Sequence, residues 1–160
     1  MSKINLRCRE CKKEYDSTFK YICDECFGPL DVHYDFPSIT KDTFTGREQT
    51  YWRYFELLPI IDKSNIVSIN AGMTPLVRAE KLGKKIGLNN LYIKNDSVNP
   101  TFSFKDRPAG VAISKAKEFG LSSVGCASTG NLAAATAAHA AKGNFPCYIF
   151  APSDIEHAKI

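Results

Sequence analysis

Two groups of residues in this sequence could do chemistry: a lysine in a dense polar run, and four cysteines in two close pairs. Lys105 lies within Asn99-Pro100-Thr101-Phe102-Ser103-Phe104-Lys105-Asp106-Arg107. The apolar run Leu91-Tyr92-Ile93 before it reads as a buried strand, and Ala109–Phe119 after it reads as a helix closed by Gly120. The lysine is therefore expected where a loop turns into the first turn of a helix. A helix N-terminus favours anions, so an ammonium gains nothing there. The dipole, Arg107 nearby and any desolvation all favour the neutral amine, which is the form that Schiff-base chemistry requires. Taken alone, Lys105 reads as an ordinary solvated lysine; its neighbours supply the sharper reading.

The cysteines are spaced Cys8-x2-Cys11, eleven residues, then Cys23-x2-Cys26. Each pair can bend a tight turn that faces both sulfurs toward one ion, the spacing of zinc ribbons. Two disulfides in an exported mini-domain would use the same residues, but Met1–Glu10 has no apolar leader run. A redox CxxC would open a helix after a strand, and neither pair does. The expectation is a closed four-cysteine site holding structural Zn2+, with no open position to activate water. His33, beyond the second pair, reads as a surface or packing residue.

Composition narrows the partners. The chain has 160 residues, 44% hydrophobic and 24% charged, with a net charge of +4. That is ordinary for one globular unit and too mild to imply a nucleic-acid or membrane partner. Residues 1–36 carry six basic and seven acidic side chains, not the basic footprint of a phosphate-backbone binder. No apolar run approaches a membrane span. A cytoplasmic location is expected, with no nucleic acid and no membrane as partner.

The elements that must position the lysine alternate. Residues 37–50 read as a linker arm. Tyr51–Pro59 is too aromatic for a free loop and reads as a short docking helix; a base-stacking platform would need basic residues beyond Arg53. In Gly72-Met73-Thr74-Pro75-Leu76 the Thr-Pro step favours extended backbone. Glu80–Ile86 reads as a helix ended by Gly87, and Asn89-Asn90 as the turn that follows. Ser123–Ala127 reads as a strand, Leu132–Lys142 as an alanine-rich helix with Gly143 at its C′ position, and Phe145–Ala151 as a second buried strand. Ser153 and Glu156 form a capping box for a helix running into His157–Ile160. Helix alternating with strand predicts a parallel sheet, with Ser128-Thr129-Gly130-Asn131 at a strand's carboxyl end, where small hydroxyls and backbone N–H groups suit a carboxylate. Ser128 and Thr129 would serve equally as a plain N-cap. Cys126 and Cys147 read as core residues, and His139 as a packed or half-exposed histidine.

Asn99–Arg107 resembles the lysine motif of pyridoxal-phosphate enzymes of the tryptophan-synthase β type, and among them the threonine synthases, whose pattern runs Asn-Pro-Thr-Gly-Ser-Phe-Lys-Asp-Arg. Here Phe102 replaces the usual glycine and Pro108 replaces a glycine that often follows. Trp52-Arg53-Tyr54-x-Glu56-Leu57-Leu58-Pro59 is similar to the segment between ribbon and catalytic domain in microbial threonine synthases. Gly72-Met73-Thr74-Pro75-Leu76 resembles the opening of that domain, with Ala71 where glutamate usually stands. Ser128–Asn131 resembles the family's asparagine loop.

The resemblance implies an α/β fold: a zinc ribbon over 1–36, a docking arm over 37–70, and the first portion of a doubly wound parallel-sheet pyridoxal-phosphate domain over 71–160. It implies Lys105 as the catalytic residue that carries the cofactor, Asn131 reaching the cofactor hydroxyl, and Ser128 and Thr129 on the carboxylate of a small phosphoamino acid. The implied reaction is O-phosphohomoserine and water to threonine and phosphate, in a parent that is a candidate homo-oligomer. A cysteate synthase, a threonine dehydratase or a non-enzymatic zinc-binding remnant are the other readings. Because the family's phosphate loop has no counterpart here, the chain reads as an amino-terminal part that does not turn over substrate alone.

Overall fold

The computed structural model describes residues 3–36 and 38–156. It begins with three antiparallel strands, β1 (Lys3–Cys8), β2 (Glu14–Asp16) and β3 (Leu30–Asp35), in the order β2-β1-β3. Leu6 sits opposite both Tyr15 and Val32, and it is the buried centre of this sheet. The CxxC turns lie at the sheet's end, since Cys8 closes β1.

A 3-10 helix over Tyr51–Leu57 follows, as the aromatic density predicts. Tyr51 and Trp52 are buried with Ile60 and Ala71, against Phe55, Leu58, Ile66 and Val111. Then come β4 (Leu76–Arg78), α1 (Glu80–Ile86), β5 (Tyr92–Lys94), α2 (Asp106–Glu118), β6 (Val124–Ala127), α3 (Asn131–Lys142) and β7 (Cys147–Phe150). Gly87 (φ 76°) and Gly120 (φ 66°) close their helices in the left-handed conformation. Pro108 falls in the first turn of α2, where its missing N–H has no intrahelical partner to lose.

The sheet departs from expectation. Among the described residues only β6 and β7 pair in parallel; β4 and β5 pair antiparallel. The reason is local. Leu88 N–H donates to Gly83 O and closes α1, and the returning chain places Leu91 O on Ala79 N–H, which starts the antiparallel ladder. The strands read as buried are also more open than expected. Tyr92 and Ile93 of β5, and Tyr148, Ile149 and Phe150 of β7, are exposed, because no described element covers those faces. Cys126 and Cys147 are half-buried rather than core.

Two terminations differ as well. Gly143 is helical (φ −83°), and the left-handed residue after α3 is Asn144 (φ 57°). Gly143 matters for space instead: a Cβ there would meet Phe145 at 3.0 Å. Ser153 and Asp154 form a turn, with Ile155 N–H donating to Pro152 O, in place of the expected helix start. The expected continuation over His157–Ile160 lies outside the described residues.

α2 and α3 pack through a second core of Val67, Ile113 and Ala140, against Val124, Phe145 and Cys147. Their closest approach is at Gly110, where a Cβ would meet Tyr51 Oη at 2.1 Å and His139 Cε1 at 2.8 Å. A helix-interior glycine normally costs about 1 kcal/mol relative to alanine. Here contact reverses the sign: Gly110→Ala should destabilise the fold by about 1–3 kcal/mol. Denaturant unfolding of the variant checks this, and a gain in stability would refute the close packing.

Candidate functional site

Lys105 is the residue immediately before α2, already helical at φ −64° and ψ −17°, and half-buried. Its carbonyl accepts from Ala109 N–H, and its N–H donates to Ser103 Oγ at 3.2 Å. The loop before it is held from both sides. Asp106, fully buried, accepts Thr101 N–H at 2.8 Å and Thr101 Oγ1–H at 2.9 Å. Asn99, also buried, accepts Gly72 N–H on Oδ1 at 3.0 Å and donates from Nδ2 to Asp96 O at 3.1 Å. Gly72 is obligatory there: its φ is +92°, and a Cβ would lie 2.8 Å from Tyr51 N.

Arg107 donates to Asp96 Oδ1 at 2.8 Å and to Thr74 Oγ1 at 3.2 Å. That pairing, with the Thr74 hydroxyl, holds the Asp96 carboxyl below its usual value of 3.8. Gly72 and Thr74 of the Gly-x-Thr-Pro-Leu segment are thereby tied to the lysine loop. The lysine Nζ lies over the Phe104 ring, 4.8 Å from its centroid. Phe102 adopts φ 58° and is exposed, so the residue that replaces a glycine occupies the conformation that glycine adopts most easily.

Ser128, Thr129 and Gly130 form the loop from β6 into α3, and Asn131 is the first residue of that helix. Ser128 is half-buried; Thr129 and Asn131 are exposed. No side chain caps α3: Gly130 is the N-cap residue, and Ser128 Oγ accepts Gly130 N–H at 3.3 Å instead. Among the described residues no hydrogen bond crosses from Lys105 to this loop. Their helices pack on one another, with Asp106 of α2 beside His139 of α3 and Ile113 sharing a core with Ala140. A cavity of about 710 Å³ lies elsewhere, between the three-stranded sheet and α2. It is an apolar seam, lined by Leu6, Phe19, Leu58 and Val111 but not by Lys105.

Residues 67–160 match the family described as pyridoxal-phosphate dependent enzyme. The chain belongs to that family. Threonine synthase of Methanocaldococcus jannaschii is 44% identical over 151 residues, 91% of this chain and 37% of that relative. Threonine synthase of Methanosarcina acetivorans is 41% identical over 152 residues, 93% of this chain and 37% of the relative. The processed form of threonine deaminase isoform 2 from Solanum lycopersicum aligns with a TM-score of 0.49 and 34% identity, over 54% of this chain and 24% of that one. The chain thus spans little more than a third of the length of the curated relatives it matches.

In a pyridoxal-phosphate enzyme chain, a half-buried lysine on a clamped loop fits a covalent anchor for the cofactor. The uncapped N-terminus of α3, with small hydroxyls beside it, fits oxygen ligands. The four cysteines converge separately: all their sulfurs lie within 4.8 Å of one another. Cys8 and Cys26 are 3.4 Å apart, and Cys11 and Cys23 are 3.5 Å apart. Bonds of about 2.3 Å to a tetrahedral ion set sulfurs roughly 3.8 Å apart, so the cluster fits zinc. The two turns share one geometry. Lys12 and Phe27, each following its second cysteine, are left-handed (φ 64° and 57°), and each donates its N–H to the carbonyl of the pair's first cysteine. The thiols do not ionise alike: the Tyr15 hydroxyl brings Cys23 down to about 6. Cys11 receives a Lys13 N–H that lowers it, yet desolvation and the Cys26, Cys23 and Cys8 thiols push it up to about 12. A divalent cation is what lets four such neighbours all be thiolates.

Sequence reasoning left the Asp106–His139 contact unread. His139 is packed, as expected, but its Nε2 lies 3.5 Å from Asp106 Oδ1, and both side chains are fully buried. No local signal marks this pair, because thirty-three positions separate its members. Burial holds His139 below its ordinary value of 6.5, against the opposing pull of Asp106. Its stabilising contribution is therefore complete above pH 6.5, the unfolded value, and is lost as pH falls from there through the lower folded value. Unfolding curves measured across that window should show this slope, and His139→Gln should flatten it. An unchanged slope would show that His139 is not held neutral.

Proposed function

We propose that this chain carries the lysine-bearing part of a threonine synthase, which converts O-phosphohomoserine and water to threonine and phosphate. The clamped Lys105 loop carries the reading, and the two archaeal threonine synthases at 44% and 41% identity support it. Pyridoxal phosphate, when bound, supplies an electron sink for charge developing on the substrate carbon. Lys105 Nζ would hold the group covalently, and its amine, when not so engaged, would accept and return protons at the substrate carbon. Asn131 is assigned to the cofactor's ring hydroxyl. Ser128 and Thr129, with the N–H groups opening α3, are assigned to the substrate carboxylate. Asp106 and Asn99 fix the loop so that the amine is presented from one direction.

Incubation with pyridoxal phosphate, borohydride reduction and peptide mapping should mark Lys105. A label on Lys94, Lys115 or Lys117 would overturn the assignment. Prior O-phosphohomoserine should protect Lys105; protection only by threonine or another phosphoamino acid would move the reading to a threonine dehydratase or a cysteate synthase.

Residues 1–36 are assigned to a zinc ribbon, 37–70 to a docking arm and 71–160 to the cofactor-binding domain. The ribbon's role is structural, since Cys8, Cys11, Cys23 and Cys26 would fill every tetrahedral position. Elemental analysis should find one zinc per chain. A preparation with less than half an equivalent and four titratable free thiols would refute the ribbon.

A further inference from the structure

The two cysteine turns match in backbone but not in surroundings, and the difference is Tyr15. Its Oη lies 3.0 Å from Cys23 Sγ, and the same oxygen accepts Asp24 N–H at 3.1 Å. A metal-bound thiolate has no proton to give. With Asp24 N–H occupying the oxygen's acceptor side, the phenol proton is directed at the Cys23 sulfur. Glu25 N–H, 3.4 Å away, is a second donor to that sulfur. Cys8 and Cys11, in the other turn, have no side-chain hydroxyl donor among the described residues.

The ring is held for this task. Tyr15 lies in β2 opposite Leu6, so the sheet fixes its backbone. Lys20 and Lys13 sit 4.8 Å and 5.6 Å from the ring centroid. Each lysine also pairs with an acidic residue of the second turn, Lys20 with Asp24 and Lys13 with Glu25. The strand and the turn are thus strapped together beside the ring by two ion pairs. Four thiolates around a divalent ion leave a net charge of −2, and donors aimed at sulfur stabilise that excess charge.

We propose that Tyr15 is a positioning residue of the zinc site, whose hydroxyl donates to the Cys23 sulfur and tightens retention of the metal. This rests on the zinc-ribbon reading of the four cysteines. Tyr15 itself is not a ligand, because the four sulfurs already complete a tetrahedron.

The test uses Tyr15→Phe, which keeps the ring beside its two lysines and removes only the hydroxyl. Zinc affinity, measured against a competing chelator, should fall by about tenfold to a hundredfold. Cobalt(II) substitution supplies a readout that a purely structural role would leave alone. Removing the hydrogen bond makes the sulfur a stronger donor, so the sulfur-to-cobalt charge-transfer band should move to lower energy while the tetrahedral ligand-field bands stay in place. Wild type and variant holding zinc equally, with the same band position, would overturn this inference and leave the ribbon standing. Weaker binding with an unmoved band would overturn the donation and reduce Tyr15 to packing. A wild-type chain that takes up neither metal would overturn the ribbon, and this inference with it.

Discussion

The lysine loop depends on one buried carboxylate. Asp106 has no solvent access, and both of its oxygens are engaged by Thr101 while His139 stands behind it. A carboxyl group in that position must be hydrogen-bonded, since a buried acceptor left without its partner costs the fold about 1–3 kcal/mol. The constraint therefore runs from the core outward: the carboxylate fixes Thr101, Thr101 fixes the turn through Phe102 and Ser103, and the turn fixes Lys105. The left-handed Phe102 is a cost of order 1 kcal/mol that this over-determined loop absorbs.

α2 transmits the constraint because it is held at both ends. At its start, Arg107 is locked to Asp96 and Thr74. At its end, Glu118 accepts the N–H groups of Ile61 and Asp62, and Lys115 pairs with Glu118 and donates to Ser17. Phe19 packs edge-on against Phe119 at 5.7 Å. Ser17 and Phe19 follow directly on β2, the strand that carries Tyr15. The cysteine turns and the lysine thus lie at opposite ends of a continuous set of contacts through β2 and α2.

What the sequence made legible is what local chemistry dictates. Gly87 and Gly120 mark their helix ends because left-handed backbone is cheapest without a Cβ, and the aromatic run at Tyr51 had to be buried somewhere. The cysteine spacing encodes two turns of one shape, so the convergence of the four sulfurs is readable before any fold is known. Legibility fails where a long-range partner decides. The antiparallel β4–β5 pair depends on where the chain returns after α1, and the space that excludes a Cβ at Gly143 is set by Ile113 and Phe145, the former thirty residues away. The exposure of β7 could not be read either: an apolar run says that a strand wants cover, not whether a neighbouring element supplies it.

The distribution of restraint around Lys105 suits a side chain that must be both anchored and released. Ser103 and Asp106, on either side of it, are buried and hydrogen-bonded, whereas among the described residues the amine's recorded contact is the face of its neighbour Phe104. An aromatic face attracts a cation without a directional bond, a contact worth about 0.5–1 kcal/mol at an exposed site. An ion pair or a fork of hydrogen bonds would hold the amine more firmly and would have to be broken each time it moved. A hydrogen-bonded backbone with a lightly held amine is the arrangement that the proposed anchoring role of Lys105 calls for. The carboxylate that could have captured the lysine, Asp106, is instead turned inward onto Thr101, and Asp96 is occupied by Arg107. The nearest acids in the sequence thus hold the loop's geometry, and among the described residues neither pairs with the Lys105 amine.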